Sequence, residues 1–285
     1  MPEDTIVHGI EWTVKELFVY PNEYIYWSIQ IVMYPYMTGL VAGAFVLSSL
    51  YHVFGQKQLK EIAQFSLVFS LALLPVAALP LLLHLQQPTR AMAPLLTPHF
   101  TSAIAAFGIV FTTYALIVLS EIWFVYRKYF VEQVHALKDQ AGFGNAIRRT
   151  IYRVLTIGAY DVSDAAVSVD KKAATVLAAI GIPVACFLHG YAGFIFGSVK
   201  ANALWMSPLM PVIFIMSAVV SGIALCMLTY IIIREWQAFR SRRKGGALEA
   251  NQIKGAEIHV IDSATKYLLG FLVAAISLEL LDLIF

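Results

Sequence analysis

Residues 189–222, HGYAGFIFGSVKANALWMSPLMPVIFIMSAVVSG, decide how this chain folds. They read as a helical hairpin. One apolar span carries His189 and Tyr191, a short aromatic turn holds Trp205, and a second span opens on Ser207-Pro208 and Pro211. Ionisable side chains inside such a span are costly and ordinarily face a bundle interior, where they mark substrate, proton or cofactor sites.

The rest of the chain has the same character. Of 285 residues, 59% are hydrophobic and 13% charged, where a soluble domain carries roughly 25% charge. Apolar runs of about 20 residues recur, long enough to cross a hydrocarbon core of roughly 30 Å. The chain therefore reads as an all-α polytopic membrane protein with at least six transmembrane helices in a four-helix-bundle arrangement. An interfacial arm, residues 1–25, precedes spans at about Tyr26–Val53, Ile62–Leu85 and Phe100–Tyr126. Residues 127–172 form an amphipathic loop, read as two surface helices broken at Gly142-Phe143-Gly144. Spans four and five, about Ala173–Val199 and Ser207–Ile233, make the hairpin. A basic loop, 234–262, leads to span six, which begins near Ser263 and is still apolar at Phe285.

Charge sets the orientation. Lys57 and Lys60 follow span one, Arg127, Lys128, Lys138, Arg148, Arg149 and Arg153 follow span three, and Arg240, Arg242, Arg243 and Lys244 follow span five. The alternate loops hold only Arg90 and Lys200. Basic loops stay inside, so the N-terminus and the Trp205 turn are expected outside. The sequence also echoes itself: Thr38–Gly43 (TGLVAG) resembles Ser217–Gly222 (SAVVSG), each on a span entering from outside. Chance and an internal repeat explain this about equally well; a repeat would suit two parallel four-helix bundles. With the apolar end at Phe285, it predicts a chain truncated within a larger bundle pair.

Depth sorts the polar residues. His189 lies about ten residues from the outer end of span four, about 15 Å, with Tyr191 a little nearer that end. Gln30 and Tyr34 on span one fall at comparable depth, as does Glu279 if span six continues, while His84 and His99 lie nearer the outer surface. A histidine and a phenol facing an apolar cleft suit a quinone, whose carbonyls accept hydrogen bonds and whose redox chemistry moves protons. A structural histidine satisfied by a neighbouring helix is the plain alternative. Near the inner surface stand Glu121 and His52, and Asp161, Asp164 and Asp170 flank span four. An inner proton route would use them, though solvated helix ends account for them more simply.

Other chemistries fit less well. A b-type haem needs histidine pairs at matching depth, and His189 has no such partner in sequence. Cys186 and Cys226 lie in apolar spans without cluster or zinc-site spacing. No nucleotide-binding glycine pattern or nucleophile elbow occurs, and nucleic acid is not an expected partner. A secondary transporter and a purely structural anchor remain as alternatives.

At the hairpin the sequence resembles the NrfD/PsrC family of membrane subunits of quinone-linked respiratory oxidoreductases. Trp205-Met-Ser-Pro208-Leu-Met-Pro211-Val-Ile-Phe214-Ile-Met-Ser217-Ala218 is similar to that family's W-x-S-P-x-x-P-x-x-F-x-x-S-A segment, and His189-Gly-Tyr-Ala-Gly193 to its preceding span. Pro21-Asn22 with Gly39-Leu-x-x-Gly43 resembles the start of its first core span. The resemblance implies a multi-pass subunit of the prokaryotic plasma membrane, with the DsrP type among the larger members it is similar to. It would bind menaquinone or ubiquinone near the outer face and hold no haem or cluster. A ferredoxin-like iron–sulfur subunit would exchange electrons with it on that face, alongside further catalytic or cytochrome subunits, in a sulfur-compound-linked complex able to translocate protons. Expected at or near the quinone head are His189, Tyr191 and Tyr34, then Gln30, Glu279 and His84. Tyr34 stands where the family often has histidine.

Overall fold

The computed structural model describes residues 6–7, 10–11, 29–84, 89, 91–97, 103–138, 140, 142–197, 207–243 and 247–284. Most of the N-terminal arm, the turn with Lys200 and Trp205, His99 and the His84 side chain lie outside them. Two short strands, β1 (Ile6–Val7) and β2 (Ile10–Glu11), pair antiparallel. The other regular elements among the described residues are helical: α1 (Ile29–His52), α2 (Lys60–His84), α3 (Ala93–Leu96), α4 (Ala103–Ala136), α5 (Phe143–Leu155), α6 (Asp164–Gly197), α7 (Met210–Arg243) and α8 (Ala247–Ile284). Among the described residues six are long and apolar enough to cross a membrane: α1, α2, α4, α6, α7 and α8. The chain is an all-α multi-pass membrane protein.

Several helices outrun the apolar spans. The helices α4, α6 and α7 each have 34 residues, about 50 Å at 1.5 Å per residue against a core of roughly 30 Å. Hydropathy marks only the part in hydrocarbon. Beyond it the helix continues in water, where an i,i+4 pair such as Lys128–Glu132 of α4 sits on its charged turns. The expected first surface helix is thus the end of α4. The second is α5, which begins after Gly142 at φ 130°, a backbone conformation suited to glycine. Its apolar Phe143, Ile147, Ile151 and Val154 are all exposed, opposite Arg148, Arg149 and Arg153. Trp123 of α4 ties it down by donating to the Leu155 carbonyl at 2.9 Å.

Two cores share α1 and α2. Val41, Phe45, Leu67, Tyr114, Val118 and Leu188 form the interior of a four-helix bundle of α1, α2, α4 and α6. On the other flank, Ala44, Leu47, Ile62, Ile223, Met227 and Ala264 join α1 and α2 to α7 and α8. Helix α1 stands between the two cores, and small residues let α7 reach it. A Cβ added at Gly43 would stand 2.2 Å from the Ala218 carbonyl oxygen and 2.8 Å from the Gly222 Cα. One added at Gly222 would stand 2.6 Å from both the Gly43 Cα and the Leu40 oxygen. The two echoing hexapeptides are therefore the two faces of a single crossing, Gly39 against Ala218 and Gly43 against Gly222. Close backbone approach is what small residues permit where lipid supplies no hydrophobic drive.

The charged helix ends gather at one end of the bundle. Arg127 of α4 forms a buried two-pronged pair with Asp170 of α6 (closest approach 2.7 Å) and donates to the carbonyls of Ala159 and Asp161. Arg234 of α7 pairs with Glu61 of α2 at 2.8 Å, and the Tyr230 hydroxyl donates to the same carboxylate.

Two substitutions test these contacts. Gly222→Val forces α1 and α7 apart and is expected to cost about 1–3 kcal/mol by overpacking, read as a lower melting temperature in detergent; Ser277→Ala, at an exposed position of α8, is the unaffected control. Asp170→Ala leaves Arg127 buried and unpaired, with an expected loss of about 3–5 kcal/mol by the same measurement.

Candidate functional site

At the end opposite the paired charges, α1, α6, α7 and α8 enclose a cleft of about 240 Å³. Its chemically distinctive lining is His189, Glu279, Tyr36 and Ser217, set among Gly39, Phe214 and other apolar groups. Val32, Tyr36 and Glu279 are exposed, so the cleft is open on one side.

His189 is the buried polar group of this site, 5% exposed. Its position follows from three glycines and a proline. Gly39 of α1 leaves room for the ring: a Cβ there would be 2.8 Å from His189 Cε1 and 3.1 Å from Nε2. On α6, a Cβ at Gly193 would be 2.8 Å from the Pro211 Cα and 3.0 Å from the Phe214 Cβ, and one at Gly190 would be 3.0 Å from Ile215. The start of α7 therefore lies directly on the Gly190–Gly193 face. Phe214 covers the imidazole, ring centroids 5.8 Å apart and tilted 36°. Nδ1 is buried and has no hydrogen-bond partner among the described residues, an arrangement that costs stability unless something else supplies the partner.

The hairpin's second span is pinned at its entrance. The Ser207 hydroxyl accepts from the Leu209 amide at 3.1 Å and donates to Asp282 of α8. Ser207 thereby caps the turn before α7 and ties it to the last turns of α8, one turn beyond Glu279. Ser207, Pro211, Phe214 and Ala218 all pack or cap; none is itself a reactive group.

The expected site residues divide. His189 and Glu279 come together at one cleft. Tyr34 and Tyr191 do not line it. Tyr34 faces the other core, its ring edge-on to Phe107 at 5.4 Å and its hydroxyl buried without a partner among the described residues. Tyr191 stacks between Phe187 and Phe194, at 5.6 and 6.0 Å. Gln30 is half-buried in the first turn of α1, outside the cleft lining. The tyrosine that does line the cleft is Tyr36. Helical phase could have found it: Tyr36 lies three residues before Gly39, on the face that meets α6 and α7, whereas Tyr34 is turned about 200° away.

Comparison with known proteins fixes the family. A sequence profile described as "Polysulphide reductase, NrfD" matches residues 20–279. The chain belongs to the NrfD family. It is 32% identical over 215 residues to a selenate reductase subunit of Mesobacillus selenatarsenatis, covering 73% of this chain and 49% of that one. It is 28% identical over 220 residues to a Halobacterium salinarum protein that carries the provisional name of a dimethyl sulfoxide reductase membrane subunit, covering 76% and 46%. The chain spans about half the length of these curated relatives. No group of three or more His, Cys, Asp or Glu side chains able to hold a metal occurs among the described residues.

Accessibility distinguishes the two tyrosines directly. With Cys186 and Cys226 replaced by Ser and Ala, Tyr36→Cys is expected to react readily with a small thiol reagent and Tyr34→Cys only slowly. Equal rates would show that the assigned helix phase is wrong.

Proposed function

We propose that this chain is the quinone-binding membrane subunit of a respiratory oxidoreductase complex, with its quinone head in the cleft beside His189. The observation that carries this reading is the buried imidazole with an unpartnered Nδ1, set in an otherwise apolar, laterally open cleft. A quinone ring suits such walls, and each carbonyl oxygen is an acceptor for a donor of this kind. Membership of the NrfD family supports it, because such subunits are quinone-interacting.

When bound, the quinone supplies two-electron redox chemistry coupled to protons. The chain's own residues do the rest. His189, fixed between Gly39 and Phe214, presents an N–H to one carbonyl and holds the head in place. Glu279 at the mouth, exposed and ionisable, passes protons between His189 and the aqueous edge. Tyr36 offers a second hydroxyl to the same ring. Apolar walls from α1 and α7 exclude water from the head, and the open side leaves room for an isoprenoid tail.

Electrons leave or arrive through a partner. A ferredoxin-like iron–sulfur subunit on the outer face, next to the Ser207–Asp282 end, exchanges them with the cleft. Further catalytic subunits complete the complex. The matched relatives are named for selenate and dimethyl sulfoxide reduction, so an oxyanion or sulfoxide stands beside sulfur compounds as the terminal substrate class.

The test is His189→Phe in the whole complex. Quinol-dependent turnover should fall about 100-fold or more, while turnover driven by an artificial donor to the partner subunits stays unchanged. Full quinol activity in this variant would remove His189 from the site. Solute uptake by the chain alone would favour a transporter.

A further inference from the structure

The four-helix bundle holds a second ionisable group that the cleft does not use. Glu121 of α4 is 0% exposed, and neither carboxylate oxygen has a hydrogen-bond partner among the described residues. Packing alone gives no reason for it, since Leu or Met would fill the same space without a desolvation cost. A carboxylate without donors or a counter-charge is not sustained in such surroundings, so the resting group is the neutral acid.

Other unpartnered groups stand at the same level. Helices α1 and α4 run in the same direction, and Phe45 meets Tyr114 edge-on with centroids 5.5 Å apart. Two turns onward, toward the basic end, α1 reaches His52 and α4 reaches Glu121. The Nε2 of His52 is buried without a partner among the described residues, as is the hydroxyl of Ser48 between Phe45 and His52 on the same face. Polar atoms lacking partners therefore collect on facing sides of two parallel helices.

This level adjoins an opening. A cavity of about 470 Å³ at the basic end is lined by His52 itself and by Phe124 and Val125, the next turn of α4 after Glu121. Its other titratable groups are Tyr51 of α1, Lys57 just before α2, Lys60 at the start of α2, Lys128 of α4, and Asp170 and Lys171 of α6. Asp170 is already neutralised by Arg127, which leaves the cavity positive. An acid sealed in apolar surroundings, one turn from a positively charged opening, has both a place to hold a proton and a way to lose it. Outward from Glu121 the next titratable residue along α4 is Tyr114, two turns back, whose hydroxyl donates to the Val41 carbonyl at 3.4 Å.

We propose that Glu121 is a proton-exchange site served from the basic, inner end of the bundle through His52. Glu121 releases its proton through His52 to water in the cavity and takes another up by the same path, with no net redox change. The exchange itself does not depend on a quinone; its use by the cleft rests on the reading above.

Infrared spectroscopy of the complex in lipid tests this. The C=O stretch of a protonated carboxyl is expected in the parent protein, shifted in D₂O and missing from Glu121→Gln. Should that variant fail to assemble, Glu121→Asp is expected to displace the band instead. His52→Leu should keep the band but slow its deuterium shift several-fold. A spectrum unchanged by both Glu121 substitutions, or a band that never shifts in D₂O, overturns the proposal. An exchange rate unaffected by His52→Leu overturns the route. Loss of the quinone reading through His189→Phe would leave all these bands in place, so the two failures are distinguishable.

Discussion

The crossing of α1 and α7 at Gly43 and Gly222 is the contact on which the rest of the structure depends. Two parallel helices approach until backbone meets backbone, because neither glycine carries a Cβ to hold them apart. In a bilayer, side-chain burial gives little drive for association, and close packing of small residues takes its place. From this contact α1 serves both cores, the bundle with α2, α4 and α6 on one flank and the cluster with α7 and α8 on the other.

The cleft follows from the same geometry. One turn back from the crossing, Gly39 faces Ala218 and accommodates the His189 ring. The Gly190–Gly193 face of α6 accepts Pro211 and Phe214 of α7 in a second close contact. His189 is thus held by backbone approach on two sides and by an aromatic ring on a third, with one nitrogen left unpartnered. Pro211, Phe214 and Ala218 near the start of α7 serve this scaffold, and the buried imidazole is supplied by the neighbouring helix.

Two ionisable levels lie at opposite ends of α1, each with buried polar atoms that the described residues leave unsatisfied. His189 and Glu279 occupy one; His52 and Glu121 occupy the other. Tyr114 of α4 stands between them on the bundle side of α1, and Tyr34 lies on that same side at the height of the cleft. Tyr34, placed beside the cleft by depth alone, belongs to this interior stripe. Depth along a span is a one-dimensional measure, and it cannot distinguish the two sides of a helix.

Span number and helical class were legible from amino-acid order, because hydrocarbon length and the cost of bare backbone leave few alternatives. The polar level of His189 and Glu279 was legible for the same reason, being a count of residues from a boundary. Helix ends were less so, since hydropathy stops at the membrane surface while the hydrogen-bonded ladder continues into water. The small-residue echo could be read as a resemblance of two segments, but not as a contact between them. Only the tertiary structure decided that Gly43 meets Gly222, that Tyr36 and not Tyr34 lines the cleft, and that Glu121 is sealed from every donor among the described residues. Those outcomes depend on which faces of six helices turn toward one another, and azimuth is set by packing between segments distant in sequence.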